Sequence, residues 1–325
     1  MNGERHPEAG IPGPTLGEAG ERGLIRLIRD WVGDAPAGSV GIGDDCAIVP
    51  APGRDWDLAL TSDPMIEGRH FLPNTDPRRI GHKAVGRVLS DLAAMGAEPL
   101  WILVDLVAPR EMPVSKLKAL YAGATDLCRR YGAVIAGGDT ACGEILELHV
   151  FGVGRVPGGQ AALRSGGRVG DAIFVTGALG GSLSGHHLDF EPKLAEGLWL
   201  RSGHWISAMM DVSDGLASDL RRIFEQSRVG GLLKTSRIPI SEAARIAGGD
   251  PVAHALCDGE DYELLFCVPA EKADELEAAW SAKWDEPCFR IGELIDQPGE
   301  LLLEDADGVQ MSCPKGGYEH FNSRT

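Results

Sequence analysis

Short acidic loops recur along the chain, and each places aspartate beside glycine, serine, threonine or an apolar residue. They are GIGDD at 41–45, TSD at 61–63, SDL at 90–92, GGDT at 137–140, DVSDG at 211–215 and DGEDY at 258–262. Mg2+ prefers hard oxygen ligands in near-octahedral geometry, which aspartate and neighbouring hydroxyls can supply. Glycine beside aspartate lets the backbone approach a nucleotide closely. Because phosphotransferases bind the metal with a few carboxylates plus substrate phosphates, the set predicts a magnesium–nucleotide site.

Each loop taken alone has a structural explanation. An aspartate at a strand end commonly caps a helix or forms a turn. Asp91 lies one helical turn after Arg87, so an i,i+4 ion pair would account for it. The segment 211–215 does not continue as a calcium-binding EF-hand loop, because the downstream spacing is wrong. The prediction therefore rests on the ordered set of loops.

Other nucleotide-binding motifs do not fit this chain. The pattern GxxxxGK[ST] does not occur, which excludes a P-loop enzyme. Gly152-Val-Gly154 is followed by Arg-Val-Pro, which does not complete a dinucleotide fingerprint. The glycine-rich segment 177–185 follows an apolar strand and could contact phosphate, although a tight strand-to-helix turn is the favoured interpretation.

The composition describes an anionic globular protein. The 325 residues include 48 acidic and 31 basic side chains, which give a net charge of −17. This charge disfavours nucleic-acid partners, whose phosphates require clustered Lys and Arg. A phosphorylated small molecule is compatible with it, provided that a cation lies between the phosphates and the carboxylates.

Cysteine usage and hydropathy predict a cytoplasmic protein. The seven cysteines include no CxxC pair, which favours reduced thiols over a zinc site or a disulfide framework. No apolar run reaches about 18 residues, and the Pro-, Gly- and Glu-rich N-terminus lacks an apolar signal core. We therefore expect neither a membrane span nor a membrane partner.

The elements that must position the acidic loops mix helices and strands without strict alternation. Helical spacing predicts helices at 24–32, 79–95, 114–131, 192–202, 216–227 and 271–284. Apolar segments predict strands at 57–63, 101–108, 133–136, 145–156, 171–176, 262–268, 288–295 and 301–304. This pattern favours an α+β protein with mixed sheets and flanking helices over a doubly wound sheet.

The break Pro157-Gly-Gly159 is the best candidate for a domain boundary. We expect a disordered arm at 1–20, an N-terminal domain at 21–157 and a C-terminal domain at 158–325.

Six segments, taken in order, resemble the thiamine-monophosphate kinases, which belong to the superfamily that includes aminoimidazole ribonucleotide synthetase. They are GIGDDCA (41–47), TSDPMIEGRHF (61–71), SDLAAMGAEP (90–99), IAGGDT (135–140), DVSDGLASDL (211–220) and GEDYELLF (259–266). The resemblance implies ATP-dependent phosphorylation of thiamine monophosphate to thiamine diphosphate. It also implies an N-terminal α/β domain that binds ATP and Mg2+ and whose sheets join across a homodimer, followed by an α+β C-terminal domain.

The resemblance further implies roles for individual residues. Several Mg2+ ions would be ligated by Asp45, Thr61, Ser62, Asp63, Asp91, Asp139, Asp211 and Asp214. ATP would be contacted by Gly138, Asp139, Arg164, Ser213 and Tyr121. Thiamine monophosphate would face His70, Glu260 and Tyr318. Because the acceptor is a phosphate oxygen, no residue is expected to act as a general base.

The chain departs from the family pattern in places, and other classes stay open. The segment between Gly181 and Met210 is shorter than is common in the family, and Tyr318 lies where a tryptophan is frequent. His186 and His187 are interpreted as surface residues rather than as a metal pair. The alternatives are another enzyme of the superfamily, or a non-catalytic acidic protein that binds divalent ions without nucleotide.

Overall fold

The structure, a computed structural model, describes residues 15–33, 35–313 and 316–318. The described residues fall into two compact units, one at residues 15–33 and the other, larger one at residues 35–313 with 316–318. In the first unit, helix α1 (Leu16–Val32) begins after Thr15, whose side chain accepts a hydrogen bond from the Glu18 amide in a capping box. Residues 16–20 of the predicted disordered arm therefore lie in a helix, although its conformation breaks at Gly20 (φ 65°). Residues 1–14 of that arm are outside the described residues.

The first sheet of the larger unit combines long antiparallel strands with short parallel ones. Its strands are β1 (Ala47–Pro50), β2 (Trp56–Ile66), β3 (Glu98–Ala108), β4 (Val134–Gly137), β5 (Thr140–Cys142) and β6 (Glu147–Pro157). They are ordered β1-β2-β6-β3-β4, and β5 also pairs with β3. β2 and β3 both run antiparallel to β6, whereas β4 and β5 run parallel to β3. Because β2 continues to Ile66, the predicted end of this strand at Asp63 is wrong, and the TSD motif lies inside the strand.

Two helices, α2 (Pro77–Ala94) and α3 (Val114–Arg130), accompany this sheet. The predicted apolar face of α2 is completely buried: Val85, Val88, Leu89 and Leu92. α2 and α3 pack closely because glycine lies at their contact. A Cβ atom on Gly81 would lie 1.9 Å from the Leu120 carbonyl oxygen.

The second sheet is almost entirely antiparallel. Its strands are β7 (Ala172–Val175), β8 (Ala208–Asp211), β9 (Gly230–Lys234), β10 (Leu264–Val268), β11 (Phe289–Ile295), β12 (Leu301–Glu304) and β13 (Gln310–Ser312). The order is β13-β12-β9-β11-β7-β10-β8. β12 runs parallel to β9, and the other pairings within the described residues are antiparallel.

Helices and short 3-10 turns connect these strands. The helices are α4 (Leu194–Ser202), α5 (Leu216–Ser227), α6 (Glu242–Ile246), α7 (Pro251–Cys257) and α8 (Ala273–Lys283). The 3-10 turns span Ser182–Ser184, His186–Leu188, Thr235–Arg237 and Ala270–Lys272. Both halves of the larger unit thus contain a mixed sheet with helices, as predicted.

The core of the larger unit consists of two groups of buried side chains. The first group joins the two sheets, because it contains Val88 and Leu92 of α2 together with Phe174 of β7 and Phe266 of β10. The second group lies between the second sheet and α5. Continuous apolar packing therefore fixes α2, which carries Asp91, against the sheet that carries Asp211.

Candidate active site

Three carboxylates from distant parts of the chain converge. Asp45 precedes β1, Asp91 lies in the last turn of α2, and Asp211 ends β8. Each offers one oxygen, and the three oxygens all lie within 4.8 Å of one another. Asp45 Oδ2 is buried without a hydrogen-bond partner among the described residues. Oxygen donors at this spacing, one of them unpartnered, suit a hard divalent cation such as Mg2+.

Hydroxyl groups orient two of these carboxylates. Thr61 of β2 donates a hydrogen bond through its hydroxyl to Asp91 Oδ2. Ser90, the neighbour of Asp91, donates through its hydroxyl to Asp211 Oδ2 at 2.6 Å. The SDL motif therefore contributes to the site twice, once through its carboxylate and once through its serine.

Burial and mutual repulsion make the carboxyl groups of Asp91 and Asp211 hard to ionise. Burial, followed by the charges of Asp63, Asp211 and Asp45, raises the pKa of Asp91 well above its usual range. Burial and Asp45 likewise raise the pKa of Asp211. Asp44, next to the cluster, has its pKa raised to about 7 by burial and by Asp45. A bound cation would relieve this repulsion and favour the ionised forms.

Arg87 forms its ion pair with Asp63 and not with Asp91, which lies one helical turn after Arg87. Its Nη2 donates to Asp63 Oδ1 at 3.0 Å, and its Nη1 donates to the Pro64 carbonyl at 2.7 Å. The local i,i+4 explanation of Asp91 is therefore not the arrangement found. Ser62, between Thr61 and Asp63, is exposed, as the alternation of side chains along a strand requires.

Arg164, predicted to contact ATP, lies against the GIGDD loop. Its Nη2 donates to Asp45 Oδ1 at 2.5 Å and its Nη1 to the Gly43 carbonyl at 3.1 Å. Its backbone amide donates to Asp44 Oδ1 at 3.2 Å. A guanidinium is thus held beside the carboxylate cluster, where it can meet a phosphate group.

The DVSDG loop is shaped by an aspartate that the sequence reasoning missed. Asp219 of α5 is fully buried, and its Oδ2 accepts from the amides of Ser213 and Asp214, both at 3.0 Å. The Asp214 carboxylate accepts from Arg222, and its carbonyl accepts from the Tyr318 amide at 2.9 Å. Ser213, Asp214 and Tyr318 are therefore neighbours. The local signal for this role was the position of Asp219 at the start of α5, where a carboxylate can accept hydrogen bonds from the backbone amides of the loop that precedes the helix.

The GGD loop connects β4 and β5. Gly138 has φ 148°, and a Cβ atom there would lie 1.9 Å from the Val104 carbonyl oxygen, so glycine is required. Asp139 is exposed, and its Oδ1 accepts from the Thr140 amide at 2.8 Å. A cavity of about 300 Å³ lies beside the residues that come directly after Asp139. It is lined by Ala108, Arg110, Thr140, Ala141 and Cys142.

Not every predicted ligand lies in the three-carboxylate cluster. Among the described residues, that cluster comprises Asp45, Asp91 and Asp211, and it does not include Asp63, Asp139 or Asp214. Tyr121, on α3, is half-buried against the first core group, where burial and Asp105 raise its pKa. The structure thus brings together three of the predicted metal ligands. The predicted contact between Tyr121 and the nucleotide stays a prediction.

His70 and Glu260, the predicted substrate residues, are linked through Lys83. Lys83 Nζ donates to the His70 carbonyl and to the Glu260 carboxylate, both at 2.7 Å. The His70 Nδ1 accepts from the Ile66 amide at 3.0 Å. Burial alone would raise the pKa of Glu260, but the hydrogen bond from His187 and the charge of Lys83 bring it down to about 2. Glu260 is therefore an anion at neutral pH.

The interpretation of His187 as a surface residue is wrong. His187 is buried, and its Nδ1 lies 2.8 Å from Lys83 Nζ and 3.0 Å from Glu260 Oε2. His186, by contrast, is exposed, as predicted. The short segment after Gly181 turns the second histidine inward, which sequence spacing alone did not indicate.

The two sheets coincide with the two domains of the AIR synthase related proteins. Family models described as AIR synthase related protein, N-terminal domain and C-terminal domain, match residues 43–156 and 168–303. The chain is 37% identical to the thiamine-monophosphate kinase of Rhodopirellula baltica, over 86% of this chain and 90% of that protein. It therefore belongs to the thiamine-monophosphate kinase family.

Solved structures agree with this assignment. AaThiL complexed with AMPPCP and TMP matches with a TM-score of 0.78 and 29% identity, over 95% of this chain and 99% of that one. The thiamine-monophosphate kinase from Stenotrophomonas maltophilia K279a matches with a TM-score of 0.71 and 33% identity, over 88% and 95% of the respective chains. Within the described residues, no helix is long and apolar enough to cross a membrane.

Proposed function

We propose that this protein transfers the terminal phosphoryl group of ATP to the phosphate of thiamine monophosphate and so forms thiamine diphosphate. The observation that carries the proposal is the convergence of Asp45, Asp91 and Asp211 within 4.8 Å, in a chain of this family. The proximity of Arg164 and the separate anionic Glu260 add to it. The first suits the phosphates, and the second suits the cationic ring of the acceptor.

We propose that the carboxylate cluster holds Mg2+. When bound, the metal supplies charge neutralisation for the two reacting phosphates. Thr61 and Ser90 orient the cluster through their hydroxyls. The remaining predicted ligands for the ions are Thr61, Ser62, Asp63, Asp139 and Asp214.

For ATP, we propose contacts with Gly138, Asp139, Arg164, Ser213 and Tyr121. For thiamine monophosphate, we propose His70, Glu260 and Tyr318. The residues of the protein then only have to hold the two phosphates in line for transfer, because an acceptor that is already ionised needs no proton removed.

Product formation is the direct test. Purified protein is incubated with ATP, Mg2+ and thiamine monophosphate, and thiamine diphosphate and ADP are quantified by chromatography. Equal amounts of both products are expected. ADP without thiamine diphosphate, or neither product, would contradict the proposal.

Stability should depend on pH and Mg2+ together. The pKa of Asp91 and Asp211 is raised in the folded protein, and that of Asp44 is raised from 3.8 to about 7. The folded state then binds more protons than the unfolded chain, so these groups stabilise it at low pH. The contribution of Asp44 is lost as pH rises from about 4 to about 7, and those of Asp91 and Asp211 are lost as pH rises through their own raised pKa. Mg2+ should therefore raise Tm more at pH 8 than at pH 5.5, measured by differential scanning fluorimetry. An equal Mg2+ effect at both pH values would contradict this.

We also propose a homodimer joined through the open face of the first sheet. On that face Trp101 and Leu103 of β3, Phe151 of β6 and Val134 of β4 are 48%, 39%, 37% and 58% exposed. Leu103 pairs with Phe151, and Trp101 pairs with Val134, so the exposed apolar side chains are contiguous. Apolar patches of this kind commonly mark protein contacts.

Sedimentation should therefore report a dimer of the 34.5 kDa chain at micromolar concentration. Phe151→Glu should shift it to monomer, because a charge would be buried in the interface. Ile246→Glu is the control, since Ile246 is exposed on α6. A wild-type protein that sediments as a monomer would contradict the dimer.

The domain and location predictions remain proposals. The boundary at 157–158 falls directly after β6 and before β7, between the two sheets. We propose a cytoplasmic enzyme, a location in which its free cysteines would stay reduced.

A further inference from the structure

Lys83 is a buried cation at the junction of the two sheets. It lies in α2, and its side chain is 0% exposed. Its ammonium has three partners: the His70 carbonyl at 2.7 Å, the Glu260 carboxylate at 2.7 Å and His187 Nδ1 at 2.8 Å. The ammonium donates to the His70 carbonyl and to the Glu260 carboxylate, and His187 Nδ1 lies beside it. Lys83 cannot reach a substrate, because protein encloses it.

Glu260, the negatively charged partner of Lys83, has an uncommon backbone conformation. Its φ is 65°, a left-handed value that residues other than glycine adopt only when their surroundings impose it. The Glu260 amide donates to the Ser213 carbonyl at 2.7 Å, and its carbonyl accepts from the Ser182 hydroxyl at 2.7 Å. The side chain keeps 18% of its surface exposed. One side of the carboxylate thus meets Lys83 and His187, while part of it stays accessible.

The charge and the burial of Lys83 make its contact with Glu260 important for the orientation of both side chains. Burial lowers the pKa of Lys83 to about 8, and the attraction of Glu260 opposes this effect. A buried ammonium is tolerated only when it is paired and hydrogen-bonded, and its partner's geometry is then fixed with it. Lys83 therefore specifies where the Glu260 carboxylate points, and it anchors the turn that carries His70.

We propose that Lys83 is a positioning residue, which holds the Glu260 carboxylate in the orientation that binds the cationic ring system of the phosphorylated acceptor. This inference rests on the proposed function. It assigns Lys83 an effect on acceptor binding without any contact to ATP, to the carboxylate cluster or to the acceptor.

The test compares Lys83→Met, Glu260→Gln and the double variant Lys83→Met/Glu260→Gln. Lys83→Met should raise KM for thiamine monophosphate by about tenfold or more, with KM for ATP changed less than about twofold. In the Glu260→Gln background, Lys83→Met should add less than about twofold, because no anion remains to be positioned. Lys193→Met is the matched control, since Lys193 is also a largely buried lysine, 3.5 Å from Glu263. It should leave KM for the acceptor unchanged.

The outcomes separate the two proposals. A wild-type protein that forms no thiamine diphosphate overturns the proposed function. An active wild type with an unchanged acceptor KM in Lys83→Met overturns the role of Lys83. If the single variant does not fold, the double variant decides, because it removes both buried charges. An acceptor KM more than about tenfold above that of Glu260→Gln alone then shows that Lys83 acts independently of Glu260 and overturns the inference.

Discussion

Asp91→Asn should lower kcat for thiamine diphosphate formation by about a hundredfold or more, because it removes one of the three negative charges of the carboxylate cluster. Asp91 receives the Thr61 hydroxyl and lies within 4.8 Å of oxygens of Asp45 and Asp211. Asparagine keeps the shape but loses the charge that a cation requires. Asp63→Asn and Asp214→Asn should also lower kcat strongly. Initial rates at saturating ATP, Mg2+ and acceptor provide the measurement.

The fold should survive the substitution at Asp91. Burial and neighbouring carboxylates raise the pKa of Asp91, so the folded protein without metal already favours the neutral side chain. Tm without Mg2+ should therefore not fall, whereas the Mg2+-induced rise in Tm should shrink. This second readout distinguishes loss of metal binding from unfolding.

Asp126→Asn is a suitable control for the loss of a carboxylate. Asp126 forms an ion pair with Arg78 at 2.5 Å, but its side chain is 49% exposed. An exposed pair contributes little to stability, so both Tm and kcat should stay close to wild type. Near-normal kcat in Asp63→Asn, Asp91→Asn and Asp214→Asn would end the metal-cluster hypothesis.

His70→Ala should raise KM for thiamine monophosphate more than it lowers kcat. A phosphate monoester has a second pKa near 6, so the acceptor is largely a dianion at pH 7 to 8 and needs no general base. His70 lies in the turn held by Lys83, with its Nδ1 engaged by the Ile66 amide. Its role is then to orient the acceptor. Steady-state rates over a range of acceptor concentrations give both constants.

The dependence of the reaction rate on pH distinguishes this mechanism from one in which His70 is a general base. An acid limb set by the acceptor phosphate should appear in the wild type and persist in His70→Ala. His186→Ala is the control, because His186 is exposed in the same half of the chain as Glu260. If His70→Ala abolishes kcat at saturating acceptor, or removes the acid limb, a general-base mechanism is correct.

Local patterns in the sequence were sufficient for the long strands and for the helices of the larger unit with nine or more residues, whereas the short helices α6 and α7 were not predicted. The α5 helix occupies 216–227 as predicted, because its apolar residues recur at helical spacing and Arg228 follows in a left-handed conformation. Predicted and observed ends of α2 and α3 differ by at most two residues. In contrast, the short strands β1, β5, β8, β9 and β13 were missed. β8 and β9 are almost wholly buried, so they show no alternation of polar and apolar residues.

The acidic loops and the class of ligand that suits them could also be predicted from the sequence, since residue type and net charge determine which ligands are chemically suitable. Tertiary structure decided which carboxylates meet. Asp45, Asp91 and Asp211 are separated by tens to more than a hundred residues, and packing of α2 between the two sheets brings their oxygens together.

The choice of partners was likewise decided by the tertiary structure. Arg87 binds Asp63 on a neighbouring strand rather than Asp91 one turn away, and Lys83 and His187 meet Glu260 from two remote segments. Local spacing indicates which pairs can form within one helix, but burial favours the partner that satisfies most hydrogen bonds in the folded chain. That competition involves every element around the site, and it is settled only when the two sheets pack together.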